Sequence, residues 1–206
     1  MQRIFHTPEG VRDIYSQECS RKQKLQEKLH RVFHQYGFED IETPTFEYFE
    51  VFSKEVGTIP SRELYKFFDR EGNTLVLRPD FTPSVSRACA TYFNPEKEVV
   101  SLCYTGNTFI NNSSFRGRLK ETTQMGVERM GDDSPEADAE ILAMTVECLL
   151  ATGLTEFQVS VGQVDYYKAI FAQTGMSQEE EEELRELISQ KNYFGVEELV
   201  KNKNMD

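Results

Sequence analysis

The sequence predicts an α+β fold in which an antiparallel sheet is flanked by helices. Three observations predict it. Two long alternating runs, Val99–Asn111 and Arg118–Met130, are joined by the polar stretch Asn112–Gly117 and read as a long hairpin. A shorter hairpin signature occupies Leu64–Asp69 and Thr74–Leu77, turning at Arg70-Glu71-Gly72-Asn73. Helix-period segments are interspersed among these strands instead of alternating strictly with them, which argues against a doubly wound parallel sheet.

Composition narrows the function classes. The 206 residues are 38% hydrophobic, with a net charge of −12. Mean hydropathy is −0.55 and the pI is near 4.8. An acidic chain repels a polyphosphate partner, because nucleic-acid binding rests on Lys and Arg neutralising phosphates. No nucleic-acid partner is expected. Cys19, Cys89, Cys103 and Cys148 are scattered without a CxxC pair, which fits reduced thiols better than a disulfide frame or a zinc site. The start MQRIFHTPEG has no apolar signal core, and no run of about 18 apolar residues occurs, so a cytoplasmic protein without a membrane partner is expected. The glycine patterns of dinucleotide and P-loop sites are missing, as are the nucleophile elbow and the HExxH helix, and no cofactor is expected.

The elements follow in order. Thr7–Asp13 is a punctuated loop. The first helix carries Leu25, Leu29, Val32, Phe33 and Tyr36 at helical spacing and stops at Gly37. His30 and His34 sit one turn apart, a metal-ligand spacing, but with no third ligand suggested nearby they read as solvated helix histidines, and no metal is expected. Phe38–Thr43 reads as a strand ended by Pro44. Glu47 and Glu50 lie among Phe46, Tyr48, Phe49 and Phe52; they are either acid/base candidates or solvated charges beside core aromatics.

After the short hairpin, Arg78-Pro79-Asp80-Phe81-Thr82-Pro83 leads into a helix, with Thr82 as N-cap and Pro83 in the first turn. Val85, Cys89 and Tyr92 or Phe93 form its buried stripe. Asp80 lies just outside the helix N-terminus, where it either complements the dipole or faces a ligand.

In the long hairpin, strand alternation puts Gln124, Gly126 and Glu128 on one face, a floor suited to a small polar ligand carrying positive charge. Ile110 shares alternation with Gly106 and so faces the same cavity. Ser134-Pro135-Glu136 opens the next helix, whose stripe is Ile141, Met144, Cys148 and Leu149. Thr155–Val161 alternates as a strand. Asp165–Gln173 is a short helix, Ser177–Glu180 a capping box opening another, and Asn192–Met205 a last helix and tail. A shift in composition near Gln163 divides the chain into a core, residues 1–163, and the start of a small helical segment, residues 164–206.

RPDFTPSVSR (78–87) and YTGNTFINNSSFRGRLKETTQMGVERMG (104–131) together resemble the catalytic core of class II histidyl-tRNA synthetases. Gly106, Phe109, Gly117, Arg118, Gln124 and Gly126 fall on the motif 2 pattern without a gap. EDIETPTF (39–46) resembles motif 1, whose proline, here Pro44, lies at a dimer interface in that family. The resemblance covers roughly residues 5–165 and implies a partial class II synthetase-like catalytic-core fold. It places the family's histidine ligands on Asp80, Thr82, Gln124 and Glu128. It also places the motif 2 arginine that holds the ATP α-phosphate on Ile110, and the next two ATP-contacting positions on Asn112 and Ser113. A phosphate developing negative charge needs preorganised cations, and isoleucine supplies none.

No motif 3 occurs in these residues, so no catalytic residue is assigned and no aminoacylation is expected. Loss of the ATP half with retention of the amino-acid half is similar to the regulatory subunits of ATP phosphoribosyltransferase, a non-catalytic synthetase paralogue. That resemblance implies a short-form catalytic partner in a hetero-octamer, a homodimer through the core, and L-histidine as feedback effector in histidine biosynthesis. A divergent histidyl-tRNA synthetase and a synthetase-like accessory domain are the alternatives. Relatives of this kind run to nearly twice the present length, so the chain reads as part of such a protein.

Overall fold

The computed structural model describes residues 5–53, 59–112 and 117–201. It divides into two units, Met1–Phe157 and Gln158–Asp206, with the division six residues before the expected boundary at Gln163.

The first unit is built on the long hairpin. Strands β5 (Val100–Phe109) and β6 (Glu121–Met130) pair antiparallel through ten registered positions, from Val100 opposite Met130 to Phe109 opposite Glu121. The ladder is shorter than the alternation suggests. Ile110 N–H still donates to the Lys120 carbonyl, but Asn111 N–H turns away to the Glu63 carbonyl. Strand β1 (Glu39–Asp40) adds to the outer side of β5 in parallel, so the sheet carries one parallel pair. The expected strand over Phe38–Thr43 is thus reduced to two paired residues. A second sheet joins β2 (Phe46–Tyr48), β4 (Thr74–Leu77) and β3 (Lys66–Phe68), all antiparallel, in the order β2-β4-β3. The β3–β4 turn uses Gly72 at φ +87°, where a glycine meets no steric penalty. The short helix α2 (Glu50–Ser53) follows β2.

The two faces of the long hairpin bury different helices. One face packs on α1 (Ser16–Gln35) and α4 (Pro135–Thr152), through Val32, Phe33, Phe38, Cys103 and Met144. Ile141 and Cys148 join this cluster, as the α4 stripe predicts. The other face packs on α3 (Thr82–Tyr92), through Phe81, Val85, Cys89, Val100, Leu102 and Tyr104. Gly37 and Gly153 end α1 and α4 with positive φ, and the Ser134 hydroxyl caps α4 by accepting from Ala137 N–H.

Several local expectations are corrected. Thr82 is the first residue of α3 and not its cap; its hydroxyl is engaged elsewhere, and Asp80 Oδ1 accepts the Phe81 N–H at 2.7 Å. The α3 stripe ends at Cys89, since Tyr92 is 75% exposed. Glu47 is not solvated: it is buried and receives both Nε and Nη2 of Arg87, while Phe46 and Tyr48 on either side of it are exposed. His30 and His34 remain partly exposed helix histidines, but both hydrogen-bond to Asp40, a neighbour that helical spacing does not reveal. Thr155–Val161 forms no strand: extended backbone needs a neighbour for its hydrogen bonds, and none of the described strands pairs with it.

The second unit holds α5 (Val164–Thr174), α6 (Gln178–Ser189) and α7 (Tyr193–Lys201) around Phe171, Met176 and Leu184. The capping box at Ser177 and Glu180 is formed in both directions. No helix among the described residues is long and apolar enough to cross a membrane.

Candidate functional site

The α3-facing side of the hairpin carries the polar cluster. Antiparallel pairing sets Gln124 opposite Gly106, Gly126 opposite Tyr104 and Glu128 opposite Leu102, so all six residues share one face. The turn from β4 into α3 lays Asp80 and Thr82 over that face. Gln124 Nε2 donates to Asp80 Oδ1 at 3.1 Å, and Thr82 Oγ1 donates to Glu128 Oε1 at 2.6 Å. Asp80, Thr82, Gln124 and Glu128, separated by up to 48 positions in sequence, therefore form one linked group.

Two residues outside the expected set complete it. Tyr104 stacks on Phe81 with centroids 4.3 Å apart and only 8° between planes. Its hydroxyl reaches Glu128 Oε1 at 3.4 Å. The space over Gly126 is not open, as alternation alone suggests, but is filled by this ring. A Cβ at position 126 would lie 2.4 Å from the Tyr104 hydroxyl oxygen. Gly106 makes equivalent room for Arg78 and Phe81, with Arg78 Nη2 2.6 Å from where its Cβ would be. The Arg78 guanidinium stacks over Phe81 and is buried, donating to the carbonyls of Thr43 at 2.8 Å, Pro44 at 3.3 Å and Asn107 at 2.8 Å. Burial pushes its pKa down from the usual arginine range. The Tyr104–Gly126 pairing carries the sequence signal for these partners, because a glycine inside a strand marks a close approach.

The electrostatics follow from burial. Glu128 is held above the ordinary carboxylate range mainly because burial penalises its charged form; the Thr82 hydroxyl opposes that and the Asp80 charge adds to it. Tyr104 is pushed well up by burial and by the nearby charges of Glu128 and Asp80. Two carboxylates, a carboxamide and two hydroxyls converge here with their acceptors outnumbering their donors. The chemistry suits a small ligand that brings several N–H groups and positive charge.

The open end of the hairpin is different. Ile110 lies one residue past the end of β5, where its N–H still donates to the Lys120 carbonyl at 2.9 Å and so continues the register of Gly106 and Thr108. Asn112 donates to the Leu119 carbonyl at 3.4 Å. Ser113 lies outside the described residues. Pro44 contributes its carbonyl to Arg78.

A family profile described as histidyl-tRNA synthetase matches residues 10–206. The chain belongs to the histidyl-tRNA synthetase family. Within it, the chain is 43% identical over 201 residues to an ATP phosphoribosyltransferase regulatory subunit of Acetivibrio thermocellus, covering 98% of this chain and 48% of that one. A protein of the same description from Ruminiclostridium cellulolyticum is 42% identical, covering 95% of this chain and 47% of that one. The chain thus spans about half the length of the curated relatives it matches. Among solved structures, an ATP phosphoribosyltransferase regulatory subunit/histidyl-tRNA synthetase from Bacillus halodurans C superposes with a TM-score of 0.90 at 33% identity, covering 98% of this chain and 52% of that one. The apo histidyl-tRNA synthetase of S. aureus superposes at 0.61 and 22% identity, covering 98% of this chain and 49% of that one, a likeness of fold alone. The family's α+β core is therefore the fold of the first unit, with the long hairpin as its centre.

Proposed function

We propose that this chain is the synthetase-like portion of a regulatory subunit of ATP phosphoribosyltransferase, non-catalytic itself and needed for the first step of histidine biosynthesis. One observation carries the reading. Asp80, Thr82, Gln124 and Glu128 form a linked acceptor-rich group, while the position of the phosphate-binding arginine is Ile110. L-histidine brings an ammonium and a ring N–H, each matched by a carboxylate, and is the effector. Asp80 and Gln124 receive the ammonium with Thr82, and Glu128 receives the ring. The partner is the short-form catalytic subunit in a hetero-octamer, and the core dimerises through the Pro44 region. The four free cysteines fit a cytoplasmic, reducing setting. Feedback follows from linkage: histidine binds the two states of the complex with different affinity and shifts their populations.

Calorimetric titration of L-histidine into the protein and into its complex with the catalytic subunit tests this. Saturable binding that Glu128→Ala abolishes is the expected result, together with no histidine-dependent ATP–pyrophosphate exchange. Absence of binding to either form removes the sensing role. Exchange activity would replace the reading with that of a divergent synthetase.

A further inference from the structure

On the opposite face of the hairpin, four metal-ligating side chains meet that the proposed function does not use. We infer that His30, His34, Asp40 and Cys103 form a four-coordinate site for a divalent transition metal of the zinc class. The fold builds this group from three separate elements. His30 and His34 project from the last turns of α1, one turn apart on one helix face. Asp40 ends β1, and the parallel pairing sets it directly opposite Cys103 on β5.

The four ligand atoms already converge on one point. Asp40 Oδ1 lies 2.5 Å from His30 Nε2 and 3.5 Å from Cys103 Sγ; Asp40 Oδ2 lies 3.0 Å from His34 Nε2. All four ligand atoms fall within 4.8 Å of one another. Bonds of about 2.0–2.3 Å in a tetrahedron put ligand atoms roughly 3.3–3.7 Å apart, so side-chain adjustments of about an ångström seat an ion. The surroundings also fit. Cys103 is fully buried against Val32, Phe33, Phe38 and Met144, which gives a dry floor. The two histidines and Asp40 are 38%, 46% and 57% exposed, which leaves an open mouth for entry.

The donor set selects the ion. Two borderline imidazoles and a soft thiolate outnumber the one hard carboxylate, a nitrogen- and sulfur-dominated set that suits zinc-class ions and not magnesium or calcium, which take oxygen. Neutral histidines with Asp40 and the thiolate sum to two negative charges, matching a divalent cation. Binding breaks the Cys103 S–H bond, forms the sulfur–metal bond and releases the proton to solvent. With all four positions filled by protein, the ion ties the end of α1 to the sheet as a structural staple.

The test uses metal-stripped protein without an affinity tag and Co2+ as the probe. The expected result is one Co2+ per chain, with a thiolate-to-cobalt charge-transfer band, tetrahedral visible bands, and stoichiometric displacement by Zn2+. Cys103→Ser removes the charge-transfer band. Because Cys103 is buried and its replacement can unfold the chain, the half-exposed His30→Gln and His34→Gln variants carry the test independently. Each weakens binding by more than the roughly 10–100-fold typical of lost outer-shell partners. The only other histidine in the chain is His6. Cobalt binding without a thiolate band, binding unchanged in both histidine variants, or no saturable binding overturns the inference.

Discussion

Replacing Thr82 with valine removes one hydroxyl from the proposed ligand site at nearly constant volume. In the structure that hydroxyl donates to Glu128 Oε1 at 2.6 Å, and Glu128 is half-buried. A hydrogen bond to a charged acceptor contributes about 1.5–3 kcal/mol, and a valine here leaves the carboxylate with only the longer Tyr104 contact at 3.4 Å. For a chain of this size each kcal/mol moves Tm by roughly 2–4 °C, so Thr82→Val is expected to lower Tm by about 3–12 °C at pH 7. The same substitution in a Glu128→Gln background breaks a bond to a neutral amide oxygen, worth only about 0.5–1.5 kcal/mol. The double-mutant cycle should therefore show a coupling of about 1 kcal/mol or more. Thermal and urea unfolding of the four proteins, followed by circular dichroism, measures it. A Thr82→Val Tm within about 1 °C of the parent, or an equal loss in both backgrounds, refutes the assignment of Thr82 as the partner of Glu128 and not a helix cap.

Glu128→Gln alone should raise Tm at neutral pH while weakening histidine binding. Glu128 has a folded-state pKa raised chiefly by burial, so its protonated form favours the fold; its contribution is fully present below the unfolded pKa of about 4.3 and is lost as pH rises through the raised value. The gain from the amide must accordingly shrink to nothing in unfolding scans at acid pH, and a gain independent of pH contradicts the burial argument. Gly126→Ala places a methyl 2.4 Å from the Tyr104 hydroxyl oxygen, an overpacking expected to cost about 1–3 kcal/mol in urea unfolding and to be relieved when Tyr104 is also made leucine; equal loss in both backgrounds counts against the close approach. Arg87→Met strands the buried Glu47 carboxylate and is expected to cost about 3–5 kcal/mol, whereas adding Glu47→Gln recovers much of it; no recovery would mean that the pair is not what holds the α3–β2 contact.

What the sequence reveals is what a local period can encode. The two-residue repeat from Lys120 to Met130 already puts Gln124 and Glu128 on one face, and the structure keeps them there. The approach of Asp80 and Thr82 to those residues is not local. It depends on α3 packing across β5, and composition around residue 80 reads equally well as helix-dipole chemistry. Likeness to a motif, not periodicity, joined the two halves. Glu47 shows where residue type misleads: a glutamate among Phe46 and Tyr48 reads as a solvated charge beside core aromatics, yet it is the buried member of β2, because Arg87 supplies its countercharge from 40 positions away. The histidine pair on α1 is half legible for the same reason. Helical spacing of four joins His30 to His34, but Asp40 and Cys103 are 63 positions apart and meet through a parallel pairing only two residues long. A pairing that short leaves no alternation to read. It nonetheless sets the chemistry of that face, because one register fixes which side chain stands beside Asp40. Shifting β1 by a single residue would present Leu102 or Tyr104 to the carboxylate instead of the thiol, and would turn each side chain of the strand to the other face of the sheet.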